Sequence, residues 1–211
     1  ESPLIVGWGE GENFVASDIP ALLKYTRDYS VLEEGDLAVV EAGGIRFYDA
    51  FGEPVERPRL TADWDQEAAE KGGYPHFMLK EINEQPTAIT ATVSPRVENG
   101  MPDLRIPALT DERLAQIGTV HLVGCGTAMH AGMVGKAAIE ALARVPAEVD
   151  IASEFRYRDP ILNPNDLVVI ISQSGETSDT LAALKLAKSR GVPVLAIVNV
   201  VGSSIARAAD Y

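Results

Sequence analysis

Two runs of apolar residues in the second half of the chain, 120–123 and 167–171, stop abruptly at small and polar residues. Each run has the length and composition of a strand that is buried on both faces of a parallel sheet. Each is followed by apolar residues at helical spacing, over 129–144 and 180–190. From residue 111 onward this alternation predicts an α/β fold with helices flanking a parallel sheet. The other strands predicted for this sheet are 148–152 and 194–198.

The beginning of the chain shows a different pattern, in which glycine-containing turns separate short apolar runs. This pattern predicts a β-rich domain over residues 1–58, with one short helix at 20–25. The predicted strands are 4–6, 30–32, 37–40 and 45–48.

A charged segment with two glycines near its end separates the two patterns. We interpret residues 59–73 as an interdomain linker and residues 74–211 as the second domain. Apolar residues at helical spacing predict a helix over 74–92, and Pro86 predicts that this helix is interrupted. Residues 94–107 have the composition of a loop.

The second apolar run leads into a segment that is suited to bind an anion. Ser172, Ser174 and Thr177 place three hydroxyls between the predicted strand and the predicted helix. The first backbone N–H groups of a helix lack partners within it, and the helix dipole makes that end positive. A phosphate fits such an end without a lysine or arginine in the loop. The same residues also fit an ordinary capped turn between a strand and a helix, so both interpretations stand at this point.

Gly124 and Gly126 follow the first apolar run and allow a tight turn with close approach to a ligand. Dinucleotide-binding folds share this G-x-G spacing, but their fingerprint requires a third glycine where Met129 stands. Asp150 only loosely matches the acidic residue that those folds place about 20 positions further on. Two polar loops after two strands of one sheet predict a ligand site at the carboxyl edge of that sheet.

The amino-acid composition argues against two classes of binding partner, nucleic acids and membranes. The formal net charge of -13 argues against a nucleic acid, because phosphate backbones are bound by basic surfaces. No apolar run approaches the roughly 18 residues that a membrane span needs, so we expect no membrane partner. Cys125 is the single cysteine, which rules out an internal disulfide and fits the reducing cytoplasm, where we expect the protein.

Three motifs together carry a resemblance to a known family. Val-Gly-Cys-Gly-Thr at 123–127, Ala-Ser-Glu-Phe-Arg-Tyr-Arg at 152–158 and Ser-Gln-Ser-Gly-Glu-Thr at 172–177 are its strongest elements. They resemble the first sugar isomerase (SIS) domain of the glutamine–fructose-6-phosphate aminotransferase family. Two further parts of that family fit in the same order: the end of the glutaminase domain at 2–7 and 11–18, and the start of the isomerase half at 74–86.

The resemblance implies a fold and a function. The fold is an SIS-type, flavodoxin-like parallel sheet, preceded by the β-rich end of an N-terminal-nucleophile glutaminase domain. The function is transfer of the glutamine amide nitrogen to fructose 6-phosphate and isomerisation to glucosamine 6-phosphate, in a homodimer without metal or organic cofactor. The residues that the resemblance assigns to binding of the sugar phosphate are Cys125, Gly126, Thr127, Ser172, Gln173, Ser174 and Thr177.

The chain departs from the family at one binding position and contains none of its catalytic groups. Ala128 stands where the family usually has a serine, which removes one hydroxyl donor. The family uses an N-terminal cysteine for its glutaminase reaction, and a glutamate, a histidine and a lysine for its isomerase reaction. The resemblance places all four outside residues 1–211, so no catalytic residue is assigned. We therefore expect a piece of the longer enzyme that is inactive by itself.

Two alternatives to the aminotransferase remain open at this stage. One is a non-catalytic phosphosugar-binding SIS module, and the other is a different SIS sugar-phosphate isomerase or deglycase. The glutaminase-like segment 11–18 counts against both.

The remaining candidate residues have competing interpretations. Cys125 could be a nucleophile, but no partner for it is identifiable, and we favour a residue that lines the loop. Glu154, Arg156 and Arg158 could bind substrate, although a structural ion pair or a subunit contact is the favoured interpretation. No metal site is assigned, because the histidines lack ligand spacing and companion cysteines. The histidines are His76, His121 and His130.

Overall fold

The computed structural model describes residues 3–62 and 71–211. Contacts between residues divide the chain into two compact units, an N-terminal unit that ends at Leu104 and a C-terminal unit, Arg105–Tyr211. The predicted division of the chain after residues 58 and 73 stays a prediction. Residues 63–70 of the predicted linker lie outside the described residues.

Antiparallel strands are the main secondary structure of the N-terminal unit. One sheet has the order β2-β1-β3-β7 and a second has the order β4-β5-β6. The strands are β1 Ile5–Trp8, β2 Asn13–Ala16, β3 Asp28–Val31, β4 Leu37–Glu41, β5 Gly44–Tyr48, β6 Pro54–Val55 and β7 Leu60–Thr61. The four strands predicted from the sequence are present with small shifts of their ends, whereas β2, β6 and β7 were not predicted.

Buried apolar side chains from both sheets form the core of this unit. Val6 from β1 packs with Ile45 and Phe47 from β5, and Trp8 lies at the margin of the same cluster. The indole Nε1 of Trp8 donates a hydrogen bond of 3.0 Å to Ser30 Oγ, which satisfies a polar group inside the core. These side chains alternate along their strands, as a sheet with one buried face requires.

The helix predicted at 20–25 is absent. This segment forms turns in which the N–H of Leu22 bonds to Ile19 O at 2.9 Å and the N–H of Tyr25 bonds to Leu22 O at 2.8 Å. One further bond, from the N–H of Thr26 to Leu22 O at 2.9 Å, joins residues four apart, but the others join residues three apart and describe successive turns and not an α-helix. The short apolar pattern was therefore a weak basis for predicting a helix.

Helix α1, Phe77–Val93, is continuous, so the interruption predicted at Pro86 is wrong. A proline inside a helix removes one backbone hydrogen bond, but here the helix continues on both sides of it. The Thr90 hydroxyl donates to the Pro86 carbonyl at 2.8 Å. The segment predicted as a loop contains a single 3₁₀ turn and a hairpin: Ser94–Arg96, β8 Val97–Glu98 and β9 Met101–Pro102.

The C-terminal unit contains the predicted parallel sheet, with strand order β11-β10-β12-β13. The predicted α/β fold class is confirmed. The elements are α2 Asp111–Leu114, β10 Val120–Gly124, α3 Thr127–Leu142, β11 Ala147–Ile151, α4 Ala152–Tyr157, β12 Leu167–Ser172, α5 Ser178–Ser189, β13 Val194–Val198 and α6 Ser204–Ala208.

Alternate residues of the central strand β12 enter two separate cores. Val168 and Ile170 pack in a cluster with residues of α4, α5 and α6, while Leu167 and Val169 pack in a second cluster, at whose margin Ile139 of α3 lies. Helices therefore cover both faces of the sheet, which explains why strands β12 and β13 are apolar at nearly every position.

Two short helices, α4 and α6, escaped the sequence analysis. Ala152 was predicted as the last residue of a strand, but it begins α4 directly after β11, without an intervening loop. Ser203 caps α6 through a 3.4 Å hydrogen bond from the N–H of Ala206 to Ser203 Oγ. A serine cap ahead of an apolar residue is a recognisable signal, and it was overlooked here.

Candidate functional site

Two loops lie side by side at the carboxyl edge of the parallel sheet. The first loop, residues 124–127, begins at the last residue of β10, and the second loop, residues 172–177, begins at the last residue of β12. Strands β10 and β12 are direct neighbours, and Gly124 is paired with Ile171 in their register. The topology therefore brings the two predicted sets of site residues together, as expected for neighbouring strands of a parallel sheet.

The first loop depends on glycine for its close packing. A Cβ atom on Gly124 would lie 3.0 Å from Ile171 O and 3.1 Å from Met129 N, which is tighter than normal contact. Gly126 has a φ of 55° and lies at the surface, with open space around its Cα. A glycine at the first position lets the loop approach β12 closely, and a glycine at the second permits the left-handed turn.

Helix α3 leaves backbone donors free at the first loop. The N–H of Ala128 bonds to Cys125 O at 3.2 Å, and the N–H of Met129 bonds to Gly126 O at 3.1 Å. In the part of the chain that the structure describes, the N–H groups of Gly126 and Thr127 have no acceptor. Both residues are exposed, so these donors are accessible to a ligand.

The second loop is held by its own hydroxyls. Ser172 is 6% exposed, and its Oγ accepts a 3.0 Å hydrogen bond from the N–H of Gly175. The Ser174 Oγ accepts a 3.2 Å bond from the N–H of Glu176. Gln173 is exposed and Thr177 is half-buried. Ser172 therefore stabilises the loop from inside, whereas the Gln173 side chain is exposed and can contact a ligand.

The start of α5 supplies more free donors. Among residues 71–211, no acceptor pairs the N–H groups of Ser178, Asp179 and Thr180. These groups and the helix dipole favour an anion at this end. The Asp179 carboxylate opposes an incoming anion, but Arg156 Nη1 lies 2.9 Å from Asp179 Oδ1 and offsets its charge. Arg156 therefore forms the structural ion pair that the sequence analysis favoured.

Cys125 joins the first loop to α5. Its Sγ lies 3.6 Å from the hydroxyl of Thr180, a buried residue that the sequence analysis did not single out. His121 is not placed to activate the thiol, because its ring is buried and its Nε2 lies 3.3 Å from Asp166 Oδ2. His130 is exposed. These positions support the interpretation of Cys125 as a residue that lines the loop.

Glu176 and Ser203 also belong to the site and were missed. The Glu176 Oε1 accepts a 2.8 Å hydrogen bond from the N–H of Ser204, at the start of α6. The Cα of Gly175 lies so close to Ser203 that an added Cβ would be 2.0 Å from its Oγ. The only sequence signal for this contact was the serine cap of α6, because residues 175 and 203 are far apart in the chain.

Outside the two loops, the described residues offer a pocket but neither a metal site nor a helix that could span a membrane. A pocket of about 160 Å³ lies at the opposite, amino edge of the sheet, where Ile117, Asp166 and Pro193 contribute to its lining. Across 3–62 and 71–211 no group of three or more His, Cys, Asp or Glu side chains could hold a metal ion. The helices in the same residues are too short or too polar to cross a membrane.

Comparison with known proteins gives this site a family. Residues 113–211 match the SIS domain family. The chain contains an SIS domain. Its loops 124–127 and 172–177 both fall inside the matched region, so the site described above is a site of the SIS domain.

The relatives of the whole chain are aminotransferases. The chain is 54% identical over 211 residues to the glutamine–fructose-6-phosphate aminotransferase of Clostridium acetobutylicum, covering 100% of this chain and 35% of that protein. The aminotransferase of Caldanaerobacter subterraneus subsp. tengcongensis is 54% identical over 214 residues, with the same two shares. The predicted resemblance to this family is confirmed, and the chain spans 35% of the length of these relatives.

A solved structure agrees with the sequence relatives. The C-terminal domain of glucosamine-fructose-6-phosphate aminotransferase from Francisella tularensis is similar to this chain with a TM-score of 0.62 and 43% sequence identity. The similarity covers 67% of this chain and 40% of that one. The SIS-type fold predicted from the motifs is therefore confirmed.

Proposed function

We propose that this chain supplies the phosphosugar-binding loops of an enzyme that transfers the glutamine amide nitrogen to fructose 6-phosphate and forms glucosamine 6-phosphate. The observation that carries the proposal is the pair of neighbouring loops with free backbone donors, in a chain whose full-length relatives are glutamine–fructose-6-phosphate aminotransferases. A phosphate monoester presents several oxygens that need hydrogen-bond donors, and two loops can donate from two sides.

The donors that we assign to the phosphate differ between the loops. In the first loop they are the N–H groups of Gly126 and Thr127 with the Thr127 hydroxyl, and Cys125 lines the wall. In the second loop they are the hydroxyls of Ser174 and Thr177 and the amide of Gln173. Ser172 holds the turn and keeps its own O–H available for donation. The α5 donors complete the site.

This donor set explains how an acidic chain could hold an anion. The formal net charge is -13, and neither loop contains a lysine or an arginine. Backbone N–H groups at two helix starts carry partial positive charge without adding a formal charge. A site of this kind binds a phosphate ester locally, whereas the rest of the surface repels polyanions.

We assign to neither loop a group that moves protons during amide transfer or isomerisation. Two carboxylates at the second loop have other partners: Asp179 pairs with Arg156, and the Oε1 of Glu176 accepts from the N–H of Ser204. We therefore propose that residues 1–211 bind the sugar phosphate but do not turn it over. Purified chain should release no glutamate from glutamine and form no glucosamine 6-phosphate above background; turnover in either assay would contradict this.

Titration calorimetry of the chain tests the binding proposal. Fructose 6-phosphate and glucosamine 6-phosphate should bind, and fructose should bind far more weakly, because the loops contact the phosphate. A matched competitor, inorganic phosphate, should displace the sugar phosphates only at higher concentration. Equal binding of fructose and its phosphate would overturn the assignment of both loops.

The alternatives predict different outcomes in the same assays. A non-catalytic SIS module would bind phosphosugars just as well, but its complete gene would encode no glutaminase activity. A different SIS isomerase or deglycase would act on sugar phosphates without glutamine. We also propose a homodimer and a cytoplasmic location for the complete enzyme, with glutamine as its second substrate; light scattering of the purified protein tests the first of these.

A further inference from the structure

The carboxylate of Glu176 ties the second loop to α6. Its Oε1 accepts a hydrogen bond of 2.8 Å from the backbone N–H of Ser204, the first residue of that helix. A charged acceptor on the N–H of a first helical turn makes a stronger bond than a neutral one. Glu176 lies directly before Thr177, the N-cap of α5, so the same residue connects two helix starts.

Three more contacts fasten the same two segments. The N–H of Ile205 bonds to Gly175 O at 3.0 Å, and the N–H of Asn199 bonds to Gln173 O at 3.3 Å. The Cα of Gly175 packs against Ser203, where a Cβ would lie 2.5 Å from that serine's own Cβ. The backbone of the second loop is thus fixed from the side of β13 and α6, away from the first loop.

The second oxygen of Glu176 lies in an unfavourable environment. Its Oε2 is buried, and among the described residues it has no hydrogen-bond partner. A buried and unpaired carboxylate oxygen opposes folding, so its presence calls for a specific reason. A carboxylate beside a proposed phosphate site also repels the ligand, and the repulsion is smaller when the carboxylate is held at a greater distance.

We infer that Glu176 is a positioning residue: by capping α6 it holds residues 174–177 in the conformation that presents their donors to the phosphate. The inference rests on the proposed function of the second loop. Glu176 does not contact the ligand in this arrangement. Its own backbone N–H donates to Ser174 Oγ, and it directly precedes Thr177; the hydroxyls of both residues are among the proposed phosphate donors.

Two substitutions at this position separate the cap from the charge. Glu176→Ala removes the bond to Ser204, whereas Glu176→Gln keeps an oxygen of the same shape that can accept it. Thr110→Ala is the matched control, because Thr110 caps α2 by accepting from the N–H of Arg113 at 3.3 Å and α2 is not part of either loop. All three are made in the complete 211-residue chain.

Amide hydrogen exchange and calorimetry then give two independent measurements. In Glu176→Ala we expect the amides of Ser204 and Ile205 to exchange about tenfold faster and fructose 6-phosphate to bind about tenfold more weakly, with fructose unaffected. Glu176→Gln should restore both properties to near the parent values, and Thr110→Ala should leave both unchanged. A residue that only stabilised the fold would lower the melting temperature without a phosphate-selective loss.

Two results would overturn the inference. One is unchanged exchange and affinity in Glu176→Ala. The other is a loss in Glu176→Gln as large as in Glu176→Ala, since the charge and not the capping bond would then be responsible. If the parent chain itself does not prefer fructose 6-phosphate to fructose, the proposed function fails. In that case the exchange rates alone decide whether Glu176 holds the loop.

Discussion

The two loops of the SIS domain occupy equivalent places in the sheet, yet they are held in different ways. The first loop is shaped by close packing of Gly124 against the backbone of β12 and of α3. The second loop is shaped by side chains, with Ser172 and Ser174 accepting from its own N–H groups and Glu176 fastening it to α6. The same strand-loop-helix topology therefore forms two turns rich in hydrogen-bond donors, one held by close packing and the other by side-chain hydrogen bonds.

This difference predicts how each loop responds to change. A loop held by packing is sensitive to added volume and keeps its shape when a hydroxyl is lost, because no hydroxyl holds it. A loop held by side chains loses its shape when a buried acceptor is removed. The glycines and serines of the two loops offer matched substitutions for testing this comparison.

The largest effect is expected from Gly175→Ala. The new Cβ would lie 2.0 Å from Ser203 Oγ and 2.5 Å from Ser203 Cβ, and the residue has a φ of 68°. Backbone strain of about 1–2 kcal/mol adds to overpacking of about 1–3 kcal/mol, so we expect unfolding in urea to show a loss of about 3 kcal/mol.

The control for Gly175→Ala is a second substitution at Ser203, the residue that the added Cβ would contact. Ser203→Gly removes the obstructing side chain, and glycine at a helix cap costs only a few tenths of a kcal/mol. The double variant should recover about half of the lost stability, because the strain at residue 175 remains. A double variant no more stable than Gly175→Ala would show that the contact with Ser203 is unimportant.

A smaller loss is expected at Gly124 in the first loop. An added Cβ would press on three backbone atoms, at 3.0 Å from Ile171 O, 3.1 Å from Met129 N and 3.2 Å from Ala128 C. Backbone atoms yield little, so Gly124→Ala should lower the free energy of unfolding by about 2 kcal/mol. Phosphosugar affinity should fall as well, since the start of α3 must move.

Gly126→Ala is the matched control within the same loop. This glycine has a φ of 55° but nothing within 4 Å of an added Cβ. Only backbone strain opposes the alanine there, at a φ of 55° and a ψ of -130°, and a loss of about 1–3 kcal/mol is expected. If Gly124→Ala, which lacks this strain, were as stable as the parent chain, close packing would not be what shapes the first loop.

The hydroxyls of the second loop should differ from each other. Ser172→Ala leaves the N–H of Gly175 without its acceptor in a buried position, which should cost about 1.5 kcal/mol of stability as well as phosphosugar affinity. Ser174→Ala should change stability by less than about 1 kcal/mol, because Ser174 is only partly buried, while still weakening phosphosugar binding. Urea unfolding measures the stability of both variants, and calorimetry measures their phosphosugar affinity. Equal losses of stability would contradict the distinction between Ser172, which holds the loop, and Ser174, which faces the ligand.

The sequence was sufficient to predict the sheet and both loops, because parallel strands covered on both faces form continuous apolar runs. Strands β10, β12 and β13 were predicted within about one residue, as strong periodicity allows. The N-terminal unit was predicted less completely. Its strands β6 and β7 contain two residues each, and such lengths leave no periodic pattern to detect.

The contacts that hold the second loop were not predictable for a different reason. Gly175 meets Ser203 and Glu176 meets Ser204 only after β13 has crossed back beside β12. No local pattern encodes a pairing between residues 28 positions apart. The same holds for Cys125 and Thr180, which come together because β10 and β12 are neighbours. The sequence motif identified the loop, and the fold was needed to show what supports it.

The smallest effect is expected at Ala128, where the chain departs from its family. Ala128 is half-buried at the second position of α3, next to the free N–H of Thr127. A serine there would add one hydroxyl beside the proposed phosphate, whereas alanine leaves that oxygen to a bridging water or a backbone donor. A bridging water is nearly as favourable as a direct bond, less an immobilisation cost of about 0–2 kcal/mol. Ala128→Ser should therefore tighten fructose 6-phosphate binding by about 0.5–1.5 kcal/mol and leave fructose binding unchanged.

Calorimetry on the parent chain and on Ala128→Ser with both sugars measures this difference. A gain confined to the phosphorylated sugar would extend the comparison between the loops, because the first loop would then have a second side-chain donor beside the Thr127 hydroxyl. If neither affinity changes, or if the serine only lowers the free energy of unfolding by burying a hydroxyl, Ala128 is a packing residue. The first loop would then contribute backbone donors and the Thr127 hydroxyl, and the side chain at position 128 would have no part in holding the phosphate.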